Sequence, residues 1–340
     1  MKAAEFSGPG KLALSECEFE DPRPGWARLG VTAAGICGSD LNVLQGLLMP
    51  NEGVRPGHEV AGVVESVGDG VTIESGSAVT VEPLLTCGLC GHCRTGFTNR
   101  CESLRAFGLT APGGMAEFLN VPASCLHQLP ADLDRNVAAL SEPLAVSFRG
   151  VRIGEVDVGS RVAVLGCGTI GLLAILVARD AGAREIFATA RYPKQAELAR
   201  TLGATQVFTT AAELLDAVGD QLIDVLIESV GGTADTLTEA MSIARPGARI
   251  VVLGAFEGAP SIPAVALMAR ELTLVGSMCY AHDRRVGDFA RALEVLSRHR
   301  DVLGELITHR FSLDQVRQAF DAAADKRAGA IKVLVMPGGA

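Results

Sequence analysis

Four cysteines within one short stretch constrain this chain more than any other feature. Cys87, Cys90, Cys93 and Cys101 stand in the run C-G-L-C-G-H-C-R-T-G-F-T-N-R-C, with two gaps of two residues and one of seven. Such spacing lets one loop wrap four thiolates around a tetrahedral ion, because zinc–sulfur bonds of ~2.3 Å require ligands set close together. The interleaved glycines permit the irregular backbone this demands. A pair of disulfides, or free thiols, is the competing reading. Residues 1–7 carry no apolar leader of the kind that directs export, and disulfides belong mainly to exported chains. The loop is therefore read as a structural zinc site. His92 lies inside it as a solvated loop residue, since four sulfurs already fill the shell.

At 340 residues the chain is long enough for two domains, each with its own core. A net charge of −9 argues against nucleic acid or an anionic membrane surface as a partner. The most apolar stretch, residues 162–178, is interrupted by Gly166, Gly168 and Gly171 and bounded by Arg161 and Arg179. It is also slightly short for a bilayer, so no membrane span is expected. Nine cysteines without an export signal point to reduced thiols and metal ligands, and hence to the cytoplasm.

The pattern of the chain changes near residue 146. Before it, runs such as 60–68 and 78–82 read as short strands broken by Gly, Asp and Pro turns. After Gly159, short apolar strands alternate with helices: strands at 161–165, 185–189, 223–228, 248–253 and 272–276, and helices at 169–181 and 194–202. That alternation implies an α/β fold with a parallel sheet covered on both faces. Helices over 286–298 and 313–325 and a strand over 331–336 close the chain. The expected plan is a catalytic domain at 1–146, a dinucleotide domain at 147–281, and a return to the first domain at 282–340.

Gly166-Cys167-Gly168-Thr169-Ile170-Gly171 is a G-x-G-x-x-G placed between a buried strand and an apolar helix. In that context the first glycine makes the tight turn, the second lets backbone approach a pyrophosphate, and the third lets helix and strand pack closely. Thr169 and Ile170 open the helix whose N-terminus faces the negative charge. Val230, Leu253, Gly254 and Met278 complete the candidate cofactor contacts. At the end of the second strand the sequence reads Ala188-Thr189-Ala190-Arg191-Tyr192-Pro193-Lys194, without the acid that accepts from the ribose of NAD. Arg191 and Lys194 can instead hold a 2′-phosphate, which favours NADP(H) over NAD(H). The alternative is that both are solvated charges opening a helix.

Cys37-Gly38-Ser39-Asp40 and Gly57-His58-Glu59 lie in the first domain, and Glu142 follows in Ser141-Glu142-Pro143. Cys, His and a carboxylate are suitable zinc ligands, and three of them leave a position open for substrate. Each also has an ordinary reading. Cys37 can be a small buried apolar residue, His58 a hydrogen-bonded core histidine, and Ser141-Glu142 a helix start.

Taken together, Cys-Gly-Ser-Asp, Gly-His-Glu, the four-cysteine loop, Glu-Pro-Leu and the glycine fingerprint occur in the order found in zinc-dependent medium-chain dehydrogenases. The chain resembles that family over essentially its whole length, and most of all its sorbitol and threonine dehydrogenase branch. The resemblance implies a GroES-like β-barrel catalytic domain beside a Rossmann domain, and dimers or tetramers. It assigns catalytic zinc to Cys37, His58 and Glu142, with Glu59 as an alternate ligand and Asp40 orienting the imidazole. Ser39 matches the serine that hydrogen-bonds the substrate oxygen. The implied reaction is hydride transfer between a nicotinamide and a secondary alcohol or ketone, with the metal acting as Lewis acid.

Three residues depart from the pattern. Asn42 replaces a proton-relay histidine, which leaves the direction and rate of the reaction open. Val43 replaces a tyrosine and Cys279 an arginine, which weakens the expectation of sorbitol itself and leaves a less hydroxylated secondary alcohol or a modified cyclitol beside a polyol or sugar. Reduction of an activated C=C or C=N bond is the alternative within enzymes. A non-catalytic nucleotide-binding protein on the same fold is the alternative outside them.

Overall fold

The structure is a computed structural model that describes residues 1–48, 53–283 and 286–338. The chain divides into two compact units, one built from residues 1–142 and 281–340 and the other from residues 143–280.

Alternating burial organises the first unit. Strand Trp26–Gly35 buries every second residue along most of its length, as a strand with one face on a core must. It pairs antiparallel with Glu59–Val67, with Phe118–Pro122 and with Lys332–Met336. Ala78–Val81, Leu126–Gln128 and Ile307–Ser312 extend these into a seven-stranded sheet. Its core gathers Leu29, Val31, Val60, Val64, Val79, Leu119 and Val121 from the sheet, and Phe320 from helix Val316–Ala324. The carboxy-terminal strand Lys332–Met336 thus lies beside the amino-terminal strand that precedes Cys37.

The second unit holds six parallel strands in the spatial order Gln206–Phe208, Glu185–Thr189, Arg161–Leu165, Ile223–Glu228, Ala244–Val252 and Thr273–Gly276. The order reverses beside Arg161–Leu165, all five residues of which are buried. Burial on both faces explains why this strand is a continuous apolar run rather than an alternating one. Ligands of open parallel sheets bind beyond the carboxyl ends of the strands at such a reversal.

The change of unit falls between Glu142 and Pro143, inside the first turn of helix Ser141–Ile153, rather than after residue 146. Ser147 already belongs to the second unit, where its hydroxyl donates to the Ile170 carbonyl at 2.9 Å. Among the described residues no helix is long and apolar enough to cross a membrane, and the apolar stretch is a strand followed by helix Thr169–Asp180.

Candidate metal and cofactor sites

In the first unit, strand Trp26–Gly35 delivers Cys37 to the start of helix Gly38–Leu44. The Cys37 amide donates to Asp40 Oδ2 at 2.9 Å, which closes the helix N-terminus and fixes both residues. His58 and Glu59 arrive at the head of strand Glu59–Val67, where Glu59 pairs with Gly35. Ligand atoms of Cys37, His58 and Glu59 all lie within 4.8 Å of one another.

The resemblance places the third ligand at Glu142, but Glu142 lies outside that set of three. Glu59 is brought in by its place next to His58 on the strand. Glu142 is nevertheless 7% exposed, and its charge acts on His58. Burial pushes its carboxyl up to about 7 against the attraction of His58, so it is an acid short of a cation.

Lys332 accounts for the position of Glu59. Its ammonium donates to both Glu59 oxygens, at 2.7 and 2.6 Å, and to the Ile36 carbonyl at 3.1 Å. Burial opposes the charge on Lys332, yet Glu59 and Cys37 outweigh it and raise its pKa. Gly35 makes room for the pair, since a Cβ there would stand 1.9 Å from Glu59 Oε2. Sequence reading missed Lys332, which lies 273 residues from its partner. Its one signal was a lysine inside an apolar strand.

The donor set fits zinc. Asp40 Oδ1 and His58 Nδ1 are buried without a hydrogen-bond partner among the described residues, and stand 3.9 Å apart. Orphaned polar atoms of this kind are costly unless something completes the site. Burial pushes the Asp40 carboxyl up, against the pull of His58. Burial lowers the His58 imidazole, but the Asp40 and Cys37 charges outweigh it and raise it well above its ordinary value. The rise at His58 describes anions gathered around a buried imidazole, a setting suited to a dication. Ser39 and Asn42 are half-buried on the same short helix. Val43 is buried in the core at 4% exposure, so it offers substrate nothing.

The second cluster is the cysteine loop, where the Cys87, Cys90, Cys93 and Cys101 sulfurs also lie within 4.8 Å of one another. Amides of Leu89 and Cys90 donate to Cys87 Sγ at 3.4 and 3.3 Å, lowering its pKa toward the thiolate, and the Cys87 amide donates to Cys101 Sγ. Four converging sulfurs with amide donors suit a closed tetrahedral zinc site.

In the second unit, Gly166 turns at φ +93° between Leu165 and helix Thr169–Asp180. A Cβ on Gly171 would lie 1.8 Å from the Gly166 carbonyl, so only glycine fits. A Cβ on Gly168 would meet nothing within 4 Å, leaving open the approach a pyrophosphate needs. Thr169 and Ile170 form the first turn of the helix. The Thr189 hydroxyl accepts from the Gly166 amide at 3.0 Å, in a region that NAD sites fill with an acid. Arg191 is exposed beyond it. Lys194 is already paired, donating to Glu197 Oε1 at 2.8 Å across one helical turn. Val230 and Met278 are 46% and 49% exposed, and Leu253 and Gly254 are half-buried.

A glycine-rich dinucleotide cradle on one unit, with two sulfur-containing ligand clusters on the other, defines a metal-dependent dehydrogenase. Residues 23–131 match the alcohol dehydrogenase GroES-like domain, and residues 169–298 match the zinc-binding dehydrogenase family. The chain is 32% identical over 342 residues to 2-dehydro-3-deoxy-L-galactonate 5-dehydrogenase of Pseudoalteromonas atlantica, covering 98% of each. It is 32% identical over 331 residues to D-altritol 5-dehydrogenase of Agrobacterium fabrum, covering 94% of this chain and 95% of that one. Galactitol-1-phosphate dehydrogenase of Escherichia coli superposes with a TM-score of 0.90 at 28% identity, covering 99% of this chain and 100% of that one. The chain belongs to the zinc-type medium-chain dehydrogenase/reductase family. It is an oxidoreductase acting on CH–OH groups with zinc and a nicotinamide cofactor.

Proposed function

We propose that this enzyme oxidises a secondary hydroxyl of a polyol or sugar acid, or reduces the matching ketone, with NADP(H) in preference to NAD(H). The convergence of Cys37, His58 and Glu59 beside orphaned Asp40 and His58 atoms carries the reading. Cys37, His58 and Glu142 would hold the catalytic ion, with Glu59 kept as a counter-ion by Lys332. The cysteine loop would hold the second ion. When bound, zinc supplies a Lewis acid toward the substrate oxygen and the nicotinamide supplies a hydride acceptor. Asp40, 3.9 Å from His58 Nδ1, would orient the ring once the metal is bound, while Ser39 would offer a hydroxyl that hydrogen-bonds the substrate and takes its proton. Asn42 cannot titrate near neutrality, so the proton leaves through water.

The substrate class follows from the two relatives named as 5-dehydrogenases of a sugar acid and an alditol. Preference for NADP(H) follows from Arg191, exposed beyond a strand end without an acid. The edge strand Thr273–Gly276 and the neighbouring helix Ala264–Ala269, whose Val265 and Met268 are 76% and 72% exposed, suit pairing with a second copy. We place the enzyme in the cytoplasm as a homodimer or homotetramer. A screen of alditols, sugar acids, simple secondary alcohols and their ketones with both cofactors tests the substrate reading. Turnover of polyhydroxylated substrates above simple alcohols is expected, and turnover of simple alcohols alone would refute it.

A further inference from the structure

One carboxylate in the dinucleotide-binding unit stands outside every role given above. Glu228 ends strand Ile223–Glu228, at the carboxyl edge of the sheet, and is fully buried. Its Oε1 accepts three hydrogen bonds, from the Val230 amide at 2.8 Å, the Gly231 amide at 2.9 Å and the Thr236 hydroxyl at 2.8 Å. Its backbone carbonyl accepts from Leu253 and Gly254 at 2.8 and 3.2 Å. Three of the candidate cofactor contacts, Val230, Leu253 and Gly254, are therefore bonded to this single residue.

The turn that Glu228 holds also grips the glycine fingerprint. The Ser229 hydroxyl stands 3.0 and 2.9 Å from the Leu165 and Gly166 carbonyls and shares its one proton between them. The Val230 side chain lies so close over Gly166 that a Cβ there would stand 2.5 Å from Val230 Cγ2. On the other side the space is equally tight, because a Cβ on Gly254 would lie 2.4 Å from both Glu228 Oε2 and the Gly231 amide nitrogen. Glu228 Oε2 is itself buried with no hydrogen-bond partner among the described residues. A buried carboxylate is costly unless its bonds repay the loss of water. Here they are spent on two consecutive backbone amides of a turn that Gly231 enters at φ +62°, a region open to glycine, so the carboxylate selects one of several backbone paths available there.

We infer that Glu228 is a positioning residue for the nicotinamide cofactor, presetting the turn 229–231 so that the cradle is formed before the ligand arrives. The inference rests on the dinucleotide reading of this unit. Without the carboxylate, the two amides lose their acceptor and the turn must be ordered on binding, which weakens affinity. Glutamine retains an acceptor oxygen for the same three donors and exchanges only the unpartnered second oxygen for an amide group.

The test uses the full-length, zinc-loaded enzyme and NADPH, with affinity read by fluorescence titration and backbone protection by hydrogen exchange. In the wild type without cofactor, the Val230 and Gly231 amides are expected to be protected already. Glu228→Ala should weaken NADPH binding at least about tenfold, the scale of one or two lost hydrogen bonds to a charged group. It should expose both amides and leave zinc content intact, with the KM for cofactor rising more than kcat falls. Glu228→Gln should stay within about fivefold of wild type. Normal affinity in Glu228→Ala, or a Gln variant as impaired as Ala, would overturn the inference. If Glu228→Ala does not fold, unprotected amides in the cofactor-free wild type would overturn it independently. A wild type that binds neither NADPH nor NADH would refute the dinucleotide reading itself, whereas the outcomes above touch Glu228 alone.

Discussion

Replacing Glu82 with glutamine should cost the first unit stability in a pH-dependent way, and the structure sets both the size and the sign. Glu82 follows strand Ala78–Val81, is 8% exposed, and bonds His127 Nε2 at 2.9 Å and His282 Nε2 at 3.3 Å. Burial pushes its carboxyl up, but the two imidazoles prevail and bring it from 4.5 down to about 2. At about 1.4 kcal/mol per factor of ten in acidity, that drop corresponds to about 3 kcal/mol. A depressed carboxyl contributes stability that is complete above its unfolded value and lost as pH falls toward its folded one. His282 runs the opposite way. The hydrogen bond to Glu82 raises its pKa above 6.5, so its share is complete below 6.5 and lost as pH rises through the folded value. The contribution therefore peaks between about pH 4.5 and 6.5. Urea unfolding of the zinc-loaded protein, followed by the fluorescence of its one tryptophan, Trp26, reports on this unit directly. Glu82→Gln should lose about 3 kcal/mol near pH 6 and less near pH 9. A loss below about 0.5 kcal/mol at pH 6, typical of surface substitutions, or one that grows with pH, would refute the reasoning.

Three further outcomes follow from the cofactor cradle. Arg191→Ala should raise the KM for NADP(H) by about tenfold to a hundredfold, the worth of charge-assisted bonds to a phosphate, with little change for NAD(H). Lys194→Ala should do less because Glu197 already holds that ammonium, and equal effects on both cofactors would remove the phosphate assignment. Gly171→Ala should abolish binding of both cofactors, because the new methyl would collide with the Gly166 carbonyl. Unchanged affinity by calorimetry would show that the turn relaxes freely.

Much of this was legible in the sequence where chemistry is local. The cysteine spacings and the glycine fingerprint are short-range patterns, and the structure brings each together as a loop and a strand–turn–helix. Strands 161–165, 185–189 and 223–228 have the expected bounds because buried parallel strands are continuous apolar runs. What escaped is long-range or depends on side-chain direction. Lys332 meets Glu59 only because the last strand returns beside the first domain's sheet. Glu82, His127 and His282 converge from three distant segments. Val43 faces the core rather than substrate, a matter of helix phase that one short turn leaves open. The pairing of Lys194 with Glu197, by contrast, was readable as two opposite charges three residues apart.

Anomalous diffraction at the zinc edge from crystals of the metal-loaded enzyme bears most directly on the whole account. It should show two peaks per chain, one inside the four-cysteine loop and one bonded to Cys37 Sγ, His58 and Glu142 at the usual zinc–ligand distances of roughly 2.0–2.3 Å. A peak in the cysteine loop alone, with Cys37 and His58 bare, would contradict it.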